Sequence, residues 1–293
     1  MQHNQFRARS AFFSAMAIFG TIGIFTHFLT IPSSVIALCR GAVGALFLLI
    51  LNVCRKNRID WSALRQDGLL LCLSSMFLGF NWILLFEAYR YTTVATATLC
   101  YYMAPIFMIL LAPLLWKERL TPVKGLCVLA ALVGMVFVSG VAKNGFGGAG
   151  QLTGVLLGLA AAVLYTSVVV CNKYMKAISA GDRTILQLGC SAVIMLVYTL
   201  FTEDLPSLTM DLRSVLLLLV LGIVHTGIAY SLYFSSIRYL ETQTIAIGSY
   251  LDPILAVILS ALFLREPLGL DGILGAVLIL GAALVSELIP AKK

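Results

Sequence analysis

The chain has 293 residues, of which 60% are hydrophobic and 11% charged, with a mean hydropathy of +1.00. Soluble globular domains carry roughly 25% charged residues, so this composition excludes a water-soluble fold and leaves a polytopic membrane protein. A net charge of +7 does not imply nucleic-acid binding here, because the Lys and Arg residues sit in short loops between apolar stretches.

At about 20 residues per span, the length accommodates ten helices and no sizeable domain outside the bilayer. The expected architecture is all-α. Arg7 and Arg9 precede an apolar run, Ala11–Ile31, that is too long for a signal-peptide core of about 7–15 residues and has no small-x-small cleavage site after it. It is expected to be a retained first span. Apolar length and loop punctuation place the others at Ser34–Val53, Gly68–Tyr89, Thr92–Leu115, Pro122–Val141, Leu152–Lys173, Thr184–Thr202, Leu212–Ser236, Thr242–Leu264 and Leu270–Leu288. With the N-terminus inside, 15 of the 20 Lys and Arg residues fall in cytoplasmic segments and 4 in outer loops, Arg40 alone lying within a span. The positive-inside bias therefore predicts cytoplasmic termini.

The chain also contains itself twice. A shift of 148 positions aligns Gly79–Leu120 with Gly227–Leu268 at 13 identities in 42 residues, among them Arg90, Tyr91, Tyr102, Pro105 and Glu118. Five spans per copy is an odd number, so the second copy is expected to lie inverted relative to the first. The predicted units are residues 1–142 and 152–293, joined by the Gly-rich segment 143–151. Inverted repeats with interrupted helices at their interface are a transporter architecture, with solute held near the midplane.

The runs that carry this pattern are Phe86-Glu87-Ala88-Tyr89-Arg90-Tyr91, Tyr102-Met103-Ala104-Pro105 and Glu118-Arg119-Leu120, with Gly125 and Gly134 after them. The second copy has Phe234, Arg238-Tyr239, Tyr250-Leu251-Asp252-Pro253, Glu266-Pro267-Leu268 and Gly272. In these the sequence resembles the drug/metabolite transporter superfamily, specifically ten-helix exporters with two EamA-type repeats. The resemblance implies a central cavity lined by helices one to four and six to nine, with helices five and ten peripheral.

Asp252 is the leading site candidate. It lies about 15 Å from either end of its span by helical rise, and a charge at that depth costs at least about 2.5 kcal/mol, so such groups face a bundle interior or a wet cavity. Its counterpart in the first copy is Ala104, so the scaffold does not demand the acid. Asp252 is expected to bind an amino group of the solute or to carry a coupling proton, with Ser249 on the same face. Pro105 and Pro253 are expected to bend their helices, since proline cannot complete the backbone ladder.

Arg40 is weighed as a scaffold pairing residue and as a solute contact, in which case it and Asp252 would suit a zwitterion. His225 could relay a proton or be hydrogen-bonded across helices. Asn81, Trp82 and Tyr230 offer an amide and aromatic faces at similar depth, and Tyr101, Tyr102 and Tyr250 flank the two prolines. Glu118 and Glu266 read as helix-end or gating residues, and the glycines at 125, 134, 272 and 281 as sites of close helix contact. The seven cysteines form no CxxC pair, and no Walker, HExxH or GxSxG sequence is present. No cofactor or metal is therefore expected, and no enzymatic activity.

The expected function is a secondary transporter, an exporter or exchanger of a small polar metabolite such as an amino acid, in the cell membrane as a monomer or homodimer. A channel-like facilitator and a membrane-embedded enzyme are the alternatives. The enzyme reading lacks an acidic or nucleophilic cluster at one membrane face, since Glu203, Asp204 and Asp211 have no partner His.

Overall fold

The computed structural model describes residues 2–57, 59–117, 120–139, 149–204, 208–237, 239–266 and 268–288. Arg58, Glu118, Arg119, the join at 143–148, Arg238, Pro267, Lys292 and Lys293 lie outside them. The helices are α1 (Gln2–Gly20), α2 (Ile22–His27), α3 (Ser33–Cys54), α4 (Leu64–Tyr91), α5 (Val94–Tyr101), α6 (Ala104–Trp116), α7 (Pro122–Val138), α8 (Ala149–Tyr174), α9 (Ala180–Thr202), α10 (Leu212–Gly222), α11 (Ala229–Ile237), α12 (Thr242–Ser249), α13 (Leu251–Phe263) and α14 (Leu270–Leu288). A π-helical segment, Ile223–Ile228, joins α10 to α11.

Eight helical stretches among the described residues are long and apolar enough to cross a bilayer, and two shorter apolar helices, Pro122–Val138 and Ile247–Phe263, bring the apolar segments to the expected ten. Several boundaries differ from the sequence expectation. The first span is helical from Gln2 and breaks at Thr21, the third begins at Leu64, and α8 starts at Ala149, inside the join. Helix starts carry the expected chemistry. Thr93, Thr121, Ser179 and Asp211 each accept a hydrogen bond from the backbone N–H three residues on, which satisfies a donor the helix itself leaves open.

Four helix pairs dominate the packing: α4 with α8, α3 with α9, α1 with α11, and α7 with α14. Each pairs one half of the chain with the other, and the scheme is unchanged when the halves are exchanged, as two-fold-related copies require. The repeat also shows in local backbone. The fourth span breaks at Tyr102–Met103 and the ninth at Tyr250, so Pro105 and Pro253 lie in the first turn of a new helix, where the missing N–H costs little, rather than bending a continuous one. Beyond each break, Lys117 (φ 55°) and Arg265 (φ 57°), again 148 apart, hold left-handed backbone.

Of the glycines expected at helix contacts, Gly134 is one: a Cβ there would lie 2.9 Å from the carbonyl of Gly275 in α14. Gly125 and Gly281 have nothing within 4 Å, and Gly272 meets only Leu268 of its own segment. Those three serve no helix crossing in this structure.

Candidate functional site

The two broken helices, α5–α6 and α12–α13, border a central cavity of about 740 Å³. Its position follows from close backbone approaches. Gly20, at the end of α1, has no side chain to hold α13 away: a Cβ there would sit 2.7 Å from the Asp252 carbonyl oxygen. Gly44 of α3 likewise admits Thr226 of the π-helical segment, whose methyl group would clash with a Cβ at that position.

Asp252 lines the cavity and accepts a hydrogen bond from the hydroxyl of Tyr102 at 2.8 Å. That bond joins the two halves through the equivalents of each other's break. Arg40 lines the same cavity, 5% exposed. Its Nε donates to Thr226 Oγ1 at 3.1 Å and its guanidinium carbon lies 4.4 Å from the centre of the Trp82 ring and 5.8 Å from that of Phe86. No ion pair joins Arg40 to Asp252, nor either to any other described residue. A buried guanidinium supported by rings and a hydroxyl, without a carboxylate, keeps donors for an incoming anion.

Much of the remaining wall is aromatic. Phe19, Trp82, Tyr89, Tyr101, Tyr102, Tyr165, Tyr230, Tyr233 and Phe234 all border the space. Tyr101 lies 5.3 Å from Tyr165, and Phe19 5.4 Å from Tyr230, both as tilted ring pairs. Such geometry suits edge and offset contacts with a planar guest. Ser249 also lines the cavity, its hydroxyl returned to the Ile245 carbonyl at 2.8 Å.

Three candidates stand behind the wall. His225 is 1% exposed, with Nε2 2.8 Å from Thr21 Oγ1 and Nδ1 3.3 Å from the Val220 carbonyl, its ring edge-on to Phe25. The π turn, by shifting the ladder, brings the side chains of His225 and Thr226 onto carbonyls five residues back. Asn81 is fully buried, its amide donating to the Ala161 carbonyl at 2.6 Å while its Oδ1 has no partner. Tyr250 is 5% exposed and borders the hydrophobic core.

Other cavity residues were not legible in the sequence: Tyr165, Asn172, Arg183 and Gln187 from α8 and α9, and Glu287 near the end of α14. Glu287 corrects the expectation that the tenth helix is wholly peripheral. At the far end of the bundle, Tyr89, 3.5 Å from Thr98, borders both the main cavity and a second one of about 270 Å³ lined by Thr26, His27, Ser33 and Arg90. Carboxylates tie that end together: Glu87 to Ser33 at 2.7 Å, Glu203 to Ser34 at 2.6 Å, and Glu266 to the Val94 N–H at 3.0 Å and Ser260 at 2.6 Å. Glu266 thus caps α5 from the other half.

An all-helical bundle of apolar spans around a charged, aromatic cavity defines a multi-pass membrane transporter. The sequence matches the EamA-like transporter family over residues 8–140 and 152–287, the two halves inferred from the repeat. The chain belongs to that family, within the drug/metabolite transporter superfamily. It is 30% identical to the uncharacterized transporter YxxF of Bacillus subtilis over 85% of this chain and 79% of that one. It is 25% identical to protein PecM of Dickeya dadantii over 94% and 90%, and 27% identical to the aromatic amino acid exporter YddG of Ancylobacter novellus over 69% and 70%. A solved crystal structure shares the fold at a TM-score of 0.66, covering 96% of this chain and 97% of that one at 22% identity.

Proposed function

We propose that this transporter is a secondary active exporter or exchanger that moves an amino acid with an aromatic side chain across the cell membrane by alternating access. The carrying observation is that Arg40, buried with no carboxylate partner among the described residues, shares one cavity with Asp252. A solute carboxylate satisfies the guanidinium, its ammonium group meets Asp252, and the rings of the wall hold an aromatic side chain. The cavity volume lies within the usual range of about 300–1,000 Å³ for small-molecule sites, and the exporter of Ancylobacter novellus is a relative of the corresponding substrate class. Asp252 takes a coupling proton when the solute leaves, and Tyr102 follows its charge state through their hydrogen bond. Both termini face the cytoplasm in this reading, from the Lys and Arg bias.

The test is counterflow in proteoliposomes. Vesicles loaded with L-phenylalanine should accumulate labelled L-phenylalanine saturably, and L-tryptophan should compete whereas phenethylamine and phenylpropionate, each lacking one charge, should not. Linear flux without counterflow, or equal transport of the bare amine, would remove the proposal.

A further inference from the structure

The cavity does not stop at Arg40 and Asp252. It continues to the end of the bundle where α8 ends, α9 begins and α14 ends, bordered there by Asn172 of α8, Arg183 and Gln187 of α9, and Glu287 of α14. Among the described residues the charges divide by helix. The cavity cations Arg40 and Arg183 come from the packed pair α3 and α9. The cavity carboxylates Asp252 and Glu287 come from α13 and α14.

At this mouth the cation is fixed and underused. Arg183 Nη1 donates to the Asn172 carbonyl at 3.1 Å, which leaves most of its five N–H groups free of side-chain partners. A neighbouring carboxylate, Asp67, is committed to the backbone N–H groups of Ala177 at 2.7 Å and Ile178 at 3.1 Å. Asn172, Gln187 and Ser74 hydrogen-bond one another, which holds the amides in place beside Arg183. Glu287 has no basic partner among the described residues. Its polar neighbour is Tyr250, whose buried hydroxyl has no partner in good hydrogen-bonding geometry. Tyr250 is the repeat counterpart of Tyr102, which donates to Asp252. Each tyrosine of the pair therefore stands beside one cavity carboxylate.

Resting on the amino-acid reading above, we infer that Arg183 and Glu287 form a loading site at the cavity mouth for the same dipolar solute, its carboxylate toward Arg183 and its ammonium group toward Glu287. Because the signs match those of Arg40 and Asp252 deeper in, the solute advances without turning over. A reversal inside the cavity would carry each charge past a like charge in a poorly hydrated space, where such encounters are costly.

Uptake of labelled L-phenylalanine into right-side-out and inside-out membrane vesicles tests this. Saturable wild-type flux from both faces is the premise, and its absence would sink the amino-acid reading itself. Given that flux, Glu287→Gln should raise KM about tenfold from the face where the mouth opens, the loss of one charge-assisted contact. KM from the other face should stay within about twofold. Glu287→Asp should recover part of the loss, and Arg183→Lys should raise KM on the same face. KM is independent of how much protein reaches the membrane, so reduced expression does not mask the result. Unchanged KM on the mouth face, or equal changes on both faces, would overturn the loading site.

Discussion

Replacing Arg40 by Met separates a solute-facing cation from a structural one, because the two roles predict different stabilities. The guanidinium is 5% exposed, donates to Thr226 at 3.1 Å, lies 4.4 Å from the Trp82 ring centre and meets no carboxylate among the described residues. Its removal forfeits a charged hydrogen bond of about 1.5–3 kcal/mol and a cation–π contact of about 0.5–2 kcal/mol. Removal also relieves the several kcal/mol spent keeping a cation out of water without an anion. The terms oppose each other, so the ligand-free variant should unfold within about 2 kcal/mol of the parent. Had Arg40 been half of a buried ion pair, the same change would strand a carboxylate and cost about 3–5 kcal/mol. The assay is thermal unfolding of purified protein in detergent, with and without L-phenylalanine. A ligand at 100 times its Kd stabilises by about 2.7 kcal/mol; the parent should gain this and Arg40→Met should gain nothing. A variant that loses 3 kcal/mol or more without ligand, yet keeps the ligand-dependent gain, would refute the assignment of Arg40 to the solute.

Asp252→Asn keeps an acceptor for the Tyr102 hydroxyl, so the protein should fold, but counterflow should fall at least about tenfold with its pH dependence flattened; an unaltered rate and pH profile would exclude both roles given to Asp252. Gly44→Ala should cost about 1–3 kcal/mol through overpacking against Thr226, whereas Gly41→Ala, whose nearest contact is an ordinary 3.5 Å, should be neutral in the same unfolding assay. Outside the spans, the hydroxyl and N–H of Ser214 hold the Asp211 carboxyl below the usual aspartate range. A folded value lowered from the unfolded one stabilises the α10 start at neutral pH and loses that effect as pH falls through the folded value. Amide exchange at 212–215, corrected for intrinsic rates, should therefore rise below about pH 4, and Asp211→Ala should show the same fraying at pH 7.

How much the sequence disclosed depended on where the duplication left a trace. The apolar segments, the paired interruptions near Tyr102 and Tyr250, and the acid at Asp252 were legible, because span length and the 148-residue shift mark them directly. Arg40, Trp82 and Tyr230, singled out by depth, and Tyr101, singled out beside Pro105, border the cavity. Depth along a helix does not report which face a side chain occupies, however, and so Asn81 and His225 proved to lie behind the wall. Tyr165, Asn172, Arg183 and Gln187 come from the part of the second copy that shows no comparable identity to the first, where no repeat signal could single them out. Glu287, three residues before Pro290 near the chain end, reads as an ordinary interfacial acid. The π turn has no side-chain spacing of its own in an apolar helix, so nothing in the sequence announced it.

Tyr89 belongs to the walls of two hollows at once. Its hydroxyl stands 3.5 Å from that of Thr98. A guest in either hollow therefore meets a different face or edge of one ring, and whatever shifts that ring on one side is felt on the other.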